Sequence, residues 1–204
     1  IPFKQRIIPF LDKLSDLANK TQSVNTVYKK DDTIIGDNTD IFGFENSLRE
    51  KNFNLKNKSA FIFGAGGVVP SIIFGLQNLG FKKIFVTNRT HEKLEKLKKQ
   101  FPLIQISDWG EFKESDLIIN ATSLGLKNED KLHFNFEKIS KKVIFYDVIY
   151  NPSVTNFLKE AEKNGNVWLN GKMMFVYQAQ KAFELWTGKF PKIDDKLLTY
   201  LYND

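Results

Sequence analysis

Phe61-Ile62-Phe63-Gly64-Ala65-Gly66-Gly67 decides how this 204-residue chain is read. A short apolar run of strand formers stops at a glycine cluster. Val68-Val69-Pro70-Ser71-Ile72-Ile73-Phe74-Gly75-Leu76 then reads as the first turns of a buried helix. Strand, glycine turn and helix in that order aim unpaired backbone N–H groups and a helix N-terminus at a phosphate. Gly64 permits the tight turn, and Gly66 lets the chain approach a ligand with no Cβ in the way. Pro70 is tolerated because the first helical turn has no internal partner for its N–H. The full dinucleotide pattern carries a third glycine at position 69, where this chain has Val69. Taken alone, the cluster is equally well a plain strand-to-helix turn.

The next unit tips that balance. After Gly80 the run Lys83-Ile84-Phe85-Val86-Thr87 reads as a second strand, followed by Asn88-Arg89-Thr90 and a charged helix from His91 to Gln100. The spacing is that of a βαβ nucleotide fold. NAD-binding folds end this second strand with an acid that bonds the ribose 2′-OH. Here Asn88 and Arg89 stand there, with Lys93 one helical turn on. A guanidinium and an ammonium suit a 2′-phosphate and offer no acceptor to a 2′-OH. A solvated surface arginine is the bland alternative. The expected cofactor is NADP.

Bulk composition narrows the class. Hydrophobic content of 42% and charged content of 26% are ordinary for a globular chain with ample core. The net charge of +6 comes from lysines scattered over helical faces, such as Lys93, Lys96, Lys98 and Lys99, without interleaved aromatics. This pattern argues for an anionic small-molecule ligand and against nucleic acid. With no cysteine there are no disulfides, no cysteine-ligated zinc and no thiol nucleophile. No apolar run is long enough to span a bilayer, so a cytoplasmic location is expected. His91 and His133 have no triad or metal partner in view, and no metal is expected. The opening Ile1-Pro2-Phe3-Lys4 has no methionine and reads as the back part of a longer protein.

From residue 5 to 20 the apolar positions Ile7, Ile8, Leu11, Leu14, Leu17 and Ala18 predict a helix, split by Pro9. A hairpin follows over 23–28 and 33–36. Asp37-Asn38-Thr39-Asp40 clusters capping residues ahead of a helix over 41–49. Two readings of this cluster stay open. It starts a helix and nothing more, or Lys4, Asn25 and Asp40 end apolar elements where open α/β sheets collect ligands. In the second case lysine and aspartate would transfer and steer a proton during carbonyl reduction. Further strands are predicted over 103–106, 116–120, 142–146 and 167–169. Helices are predicted over 153–164, capped by Gly165, and 171–186. Met173-Met174-Phe175, Trp168 and Trp186 read as core. Gln178 stands out, because an amide on an apolar helix face wants partners that a hydroxylated substrate supplies.

Ile1-Pro2-Phe3-Lys4, Val24-Asn25-Thr26, Gly36-Asp37-Asn38-Thr39-Asp40 and Gly64-Ala65-Gly66-Gly67 stand in the order seen in the shikimate dehydrogenase family. Asn88-Arg89-Thr90, Asn120-Ala121-Thr122-Ser123, Asp147-Val148-Ile149-Tyr150-Asn151-Pro152 and Gly171 through Gln178 to Gly188 continue it. The chain resembles that family over essentially its whole length.

The resemblance implies a two-lobed α/β protein. Its Rossmann-type, doubly wound NADP-binding domain spans 40–170, and a partial α/β substrate domain is made of 1–39 and 171–204. It also implies reversible NADPH-dependent reduction of 3-dehydroshikimate to shikimate in aromatic amino acid biosynthesis, by a monomer or homodimer. Lys4 matches the catalytic lysine and Asp40 its aspartate. Asn25, Tyr150 and Gln178 match substrate-binding positions. Gly64, Ala65, Gly66, Gly67 and Val68 match the pyrophosphate turn, and Asn88, Arg89, Thr90 and Lys93 the 2′-phosphate clamp. Thr122, Val148 and Gly171 match the nicotinamide side.

Two departures follow from the same comparison. The family's front segment, with a serine pair for the substrate carboxylate and much of the small lobe's sheet, is absent from these 204 residues, so the expectation for this stretch alone is NADPH binding with poor turnover or none. Val68-Val69-Pro70 replaces the usual small residues of the turn. Three alternatives are weaker. An NAD-preferring quinate/shikimate enzyme would carry an acid in place of Arg89. A glutamyl-tRNA reductase would need a cysteine. A non-catalytic NADP-binding module would not need Lys4 and Asp40.

Overall fold

The computed structural model describes residues 3–127, 129–130, 132, 135–136 and 139–202, with backbone alone at 201–202. His133, Ile1 and Pro2 lie outside them. In chain order the elements are a 3-10 turn (Ile8–Phe10), β1 (Lys13–Leu14), α1 (Asp16–Thr21), β2 (Thr26–Lys30), β3 (Thr33–Asp37) and α2 (Asp40–Arg49). Then come β4 (Ser59–Phe63), α3 (Val69–Asn78), β5 (Lys83–Thr87), α4 (His91–Gln100), β6 (Gln105–Ile106), β7 (Leu117–Asn120) and β8 (Ile144–Asp147). The last are α5 (Asn156–Lys163), β9 (Val167–Leu169), α6 (Lys172–Thr187) and α7 (Asp195–Tyr202).

Two sheets result. The larger runs β6-β5-β4-β7-β8-β9, every neighbour parallel. Its order reverses direction between β4 and β7, as in a Rossmann sheet, and ligands of such sheets sit beyond the strand C-termini at that reversal. Both faces are covered, which is why β4 and β7 are apolar without alternation. Successive side chains of β4 split between two cores. Ile62 packs with Ile72, Ile73, Leu76 and Leu94 under α3 and α4. Phe61 and Phe63 pack with Ile118, Phe145, Phe157 and Leu158 under α5. Each such side chain contributes roughly 1.5–3 kcal/mol on burial.

The smaller sheet runs β1-β3-β2, with a β2–β3 hairpin and β1 parallel to β3. Here the expected helix over 5–20 fails. Only the 3-10 turn and the six residues of α1 are helical, and between them Lys13 and Leu14 pair with Ile35 and Gly36. Asp12 reinforces that pairing, since its carboxylate accepts from Ile34 N–H at 2.7 Å. Ser15 then starts α1, its hydroxyl accepting from Ala18 N–H at 3.1 Å. A helical spacing of leucines served a sheet edge because backbone pairing outweighed local propensity.

Smaller differences follow the same logic. The strand expected over 103–106 is only Gln105–Ile106, and the one expected from residue 23 begins at Thr26. Trp186 is not core. It is 60% exposed, and its indole N–H donates to the Val27 carbonyl at 3.1 Å. Of the Met173-Met174-Phe175 stripe, Met174 is buried, while Phe175 faces out and stacks on Tyr150 with centroids 4.9 Å apart.

Helix α2 packs against both α3 and α6. Its Gly43 lies so close to α6 that a Cβ there would meet the Met174 carbonyl oxygen at 2.5 Å. Ser47 bonds the buried Tyr146 hydroxyl of β8 at 2.8 Å, and Tyr177 of α6 donates to Glu50 at 2.8 Å. The element that carries Asp40 is thus fixed to the large sheet and to α6 together.

Candidate active site

The residues Asp37 to Asp40 do not act as interchangeable caps, for each has its own long-range partner. Asp37 accepts from the Ser15 hydroxyl at 2.6 Å. Asn38, fully buried, donates to Thr21 and Ser71 at 2.9 Å each, and its carbonyl takes the Asp40 N–H at 3.1 Å. The Thr39 N–H donates to Asn25 Oδ1 at 2.8 Å. Asp40 accepts from the Lys4 ammonium. It opens α2, where the N-terminal dipole favours a carboxylate.

Lys4 and Asp40 are both largely shielded, at 16% and 8% side-chain exposure, so their attraction is little screened by solvent. Asn25 closes the cluster. Its amide lies 3.0 Å from Asp40 Oδ1, 2.9 Å from Thr39 Oγ1 and 3.2 Å from Gln178 Oε1. Two amide hydrogens face three acceptors, so one contact is always available for exchange. Gln178 reaches the cluster from α6, its own amide donating to the Phe175 carbonyl at 2.9 Å. Lys4, Asn25, Asp40 and Gln178, remote in sequence, therefore meet in one hydrogen-bonded group. Tyr150 is 44% exposed and stacked on Phe175, and among the described residues no hydrogen bond joins it to that group.

Beside the cluster lies the glycine turn. Gly64 adopts φ +115° with its N–H on the Thr87 carbonyl at 2.8 Å, and a Cβ there would strike the Ala121 carbonyl oxygen at 2.6 Å. Only glycine meets both demands. A Cβ on Gly66 would meet nothing within 4 Å, so the turn has an open face there. Ala65 and Val68 pack back onto the core. At the end of β5, Asn88 holds the Thr90 carbonyl at 3.0 Å. Arg89, Thr90 and Lys93 are exposed, and among the described residues neither cation is ion-paired. The Thr87 hydroxyl between turn and clamp is buried, with no hydrogen-bond partner among the described residues. An open glycine cradle, two unspent cations and an orphaned hydroxyl fit a phosphorylated dinucleotide.

The third wall comes from β7 and β8. Thr122 is spent locally, donating to Asn120 Oδ1 at 2.7 Å and accepting from Leu124 N–H at 3.0 Å. Gly171 packs backbone to backbone on Val148, where a Cβ would lie 2.1 Å from the Val148 carbonyl oxygen. Sequence reasoning did not single out Asp147, which is completely buried and accepts from Thr155 Oγ1 at 2.6 Å, Ile149 N–H at 3.0 Å and the Asn120 amide. Burial pushes its carboxyl up to about 6 against those three donors. An aspartate closing an apolar strand was the available signal.

Among the described residues no helix is long and apolar enough to cross a membrane, and no group of three or more acidic or histidine side chains is placed to hold a metal.

Comparison with known proteins bears on the family and the fold. The family model described as shikimate/quinate 5-dehydrogenase matches residues 47–163, and that of the shikimate 5′-dehydrogenase C-terminal domain matches residues 174–194. A shikimate dehydrogenase (NADP+) of Pelagibacter ubique is 57% identical over 98% of this chain and 76% of its own. The crystal structure of an Aquifex aeolicus shikimate dehydrogenase superposes with TM-score 0.90 at 36% identity, covering 100% of this chain and 75% of that one. A Listeria monocytogenes shikimate 5-dehydrogenase, solved in complex with shikimate and NAD, gives TM-score 0.90 at 31% identity, covering 99% and 75%. The chain belongs to the shikimate/quinate 5-dehydrogenase family.

Proposed function

We propose that this protein is an NADP-dependent oxidoreductase interconverting 3-dehydroshikimate and shikimate. The observation that carries this reading is the Lys4–Asp40–Asn25–Gln178 cluster set against an open glycine turn. The 57% identical Pelagibacter relative bears that activity in its name.

NADP, when bound, supplies or accepts the hydride. The remaining chemistry falls to the chain. Lys4 delivers a proton to the ring carbonyl oxygen in reduction and recovers it in oxidation, and Asp40 keeps the ammonium aimed. Asn25 and Gln178 take substrate hydroxyls by exchanging the contacts they now make with each other. Tyr150, on its Phe175 platform, faces the substrate side.

Gly64 to Val68 take the pyrophosphate, with Gly66 as the closest approach. Asn88, Arg89, Thr90 and Lys93 clamp the 2′-phosphate, which is why NADP is preferred although the Listeria relative was solved with NAD. Thr122, Val148 and Gly171 shape the nicotinamide wall, Thr122 by holding its loop.

In this reading 40–170 form the nucleotide domain, and 1–39 with 171–204 the substrate domain, α2 bridging them. The protein works in the cytoplasm as a monomer or homodimer.

The test is shikimate-dependent reduction of NADP+, followed by nicotinamide absorbance on the natural chain including any residues preceding Ile1. Turnover with shikimate and NADP+ exceeding that with quinate or NAD+ is expected. NADP+ binding without turnover of either polyol would sink the activity and leave the cofactor site.

A further inference from the structure

Three consecutive residues, Ser23, Val24 and Asn25, touch three different parts of the site. Asn25 holds Asp40 and Gln178. The Val24 N–H donates to the Lys4 carbonyl at 2.9 Å and so fixes the lysine backbone. Ser23, fully buried, donates its hydroxyl to the Gly67 carbonyl at 3.0 Å, 44 residues away on the glycine turn. From the other side the turn supports the lysine itself, since a Cβ built on Gly67 would lie 3.9 Å from both Lys4 Cβ and Lys4 Cδ. The aliphatic stem of Lys4 therefore lies over Gly67, between the residue that pins its backbone and the turn that Ser23 grips.

We propose that Ser23 is a positioning residue that registers Lys4 on the glycine turn, so that the proton-carrying ammonium is placed relative to the cofactor rather than relative to its own lobe alone. This rests on the roles given above to Lys4 and to the turn. The physical need is plain. Hydride and proton must arrive at two atoms of one carbonyl, Lys4 stands in a turn ahead of the small sheet while the glycine turn follows a strand of the large one, and misplacement by about 1 Å is costly in rate. A buried hydroxyl-to-carbonyl bond is directional, and breaking it leaves the Gly67 carbonyl short of a partner. Among the described residues the Gly67 carbonyl is the one partner of the Ser23 hydroxyl, while the Ser23 N–H reaches the Ala18 carbonyl at 3.4 Å.

The test is a double-mutant cycle of Ser23→Ala and Lys4→Ala, read as kcat, KM and the dissociation constant of NADP+. Ser23→Ala is expected to lower kcat about fivefold to twentyfold, with NADP+ affinity and shikimate KM changed less than about threefold. In the Lys4→Ala background the same substitution is expected to change the residual kcat less than twofold, because the group it positions is gone. Equal losses in both backgrounds, or no loss in either, would overturn the proposal. A second readout does not need turnover. In protein whose lysines are reductively ¹³C-dimethylated, the Lys4 resonance should shift on adding NADP+ with Ser23 present and lose most of that shift in Ser23→Ala. A shift unchanged by the substitution contradicts the coupling even if no polyol is oxidised, whereas missing turnover with the coupling intact faults only the assigned activity.

Discussion

Single side chains separate the two halves of the site cleanly. Arg89 is exposed and forms no ion pair among the described residues, so its charge is available to a ligand. Arg89→Glu should weaken NADP+ binding about tenfold to a hundredfold, the loss of one or two charge-assisted hydrogen bonds with repulsion added. NAD+ binding should change little or improve, and calorimetric titration compares the two. An equal loss for both dinucleotides would remove Arg89 from the 2′-phosphate. Gly66 offers a second separation, because a methyl group there meets nothing within 4 Å. Gly66→Ala should leave stability within about 0.5 kcal/mol, as for other unopposed surface changes, and still weaken NADP+ binding at least about tenfold. Urea unfolding with and without the cofactor measures both. Individual residues were also the most legible level of the sequence. The glycine turn declared itself through a strand that stops at Gly64, and the expectation of NADP rested on Arg89 where an acid would stand. The Lys4–Asp40 pair was not legible from spacing. Those residues lie 36 positions apart, and Asp40 sits in a run that reads equally as a helix cap.

At the scale of elements, the βαβ order of the large sheet could be read ahead because parallel strands buried on both faces appear as short, continuous apolar runs. The small sheet could not. Lys13 and Leu14 make a two-residue strand held by pairing with Ile35 and Gly36 and by Asp12 on the Ile34 N–H, contacts no local pattern encodes. Trp186 misled for a related reason, since a large aromatic on a long helix reads as core, yet it lies along the sheet edge and bonds Val27 through its indole. Close approach between elements was equally hidden. Gly171 looks like a helix-starting glycine, but it is the contact between the start of α6 and the loop after β8, with Val148 O 2.1 Å from where a Cβ would stand. Gly171→Ala should therefore cost about 3 kcal/mol through overpacking against backbone that has no rotamer to change. A lowered urea midpoint at constant m-value is the expected signature. An unchanged midpoint would show that the α6 start moves away at no cost.

For the whole molecule, the buried carboxyl of Asp147 links stability to pH. Its folded value of about 6 lies above the ordinary 3.8, with burial the largest cause. The protonated form is thus favoured in the folded protein. That contribution is full below the ordinary value and is lost as pH rises through about 6. A shift of this size is worth about 3 kcal/mol in all, most of it lost between pH 4 and pH 7. Asp116 acts in the opposite sense, held below its ordinary value by Lys58 and Ser59 against its burial, and its loss sets in only at lower pH. Unfolding free energy measured from pH 4 to pH 7 should fall with rising pH more steeply in the parent than in Asp147→Asn, where this term is absent. Identical slopes would contradict a buried, elevated carboxyl. The proposed function at this scale depends on two parts of the fold meeting at one carbonyl, with Lys4 on the small-sheet side and the glycine turn on the large one. The most direct measurement is therefore Lys4→Ala, compared with the parent for shikimate-dependent NADP+ reduction and for NADP+ affinity in parallel. If Lys4 carries the proton, turnover drops at least about a hundredfold, the usual worth of a positioned acid–base group, while NADP+ affinity stays within about threefold. Retained turnover, or equal losses of turnover and affinity, would contradict that role.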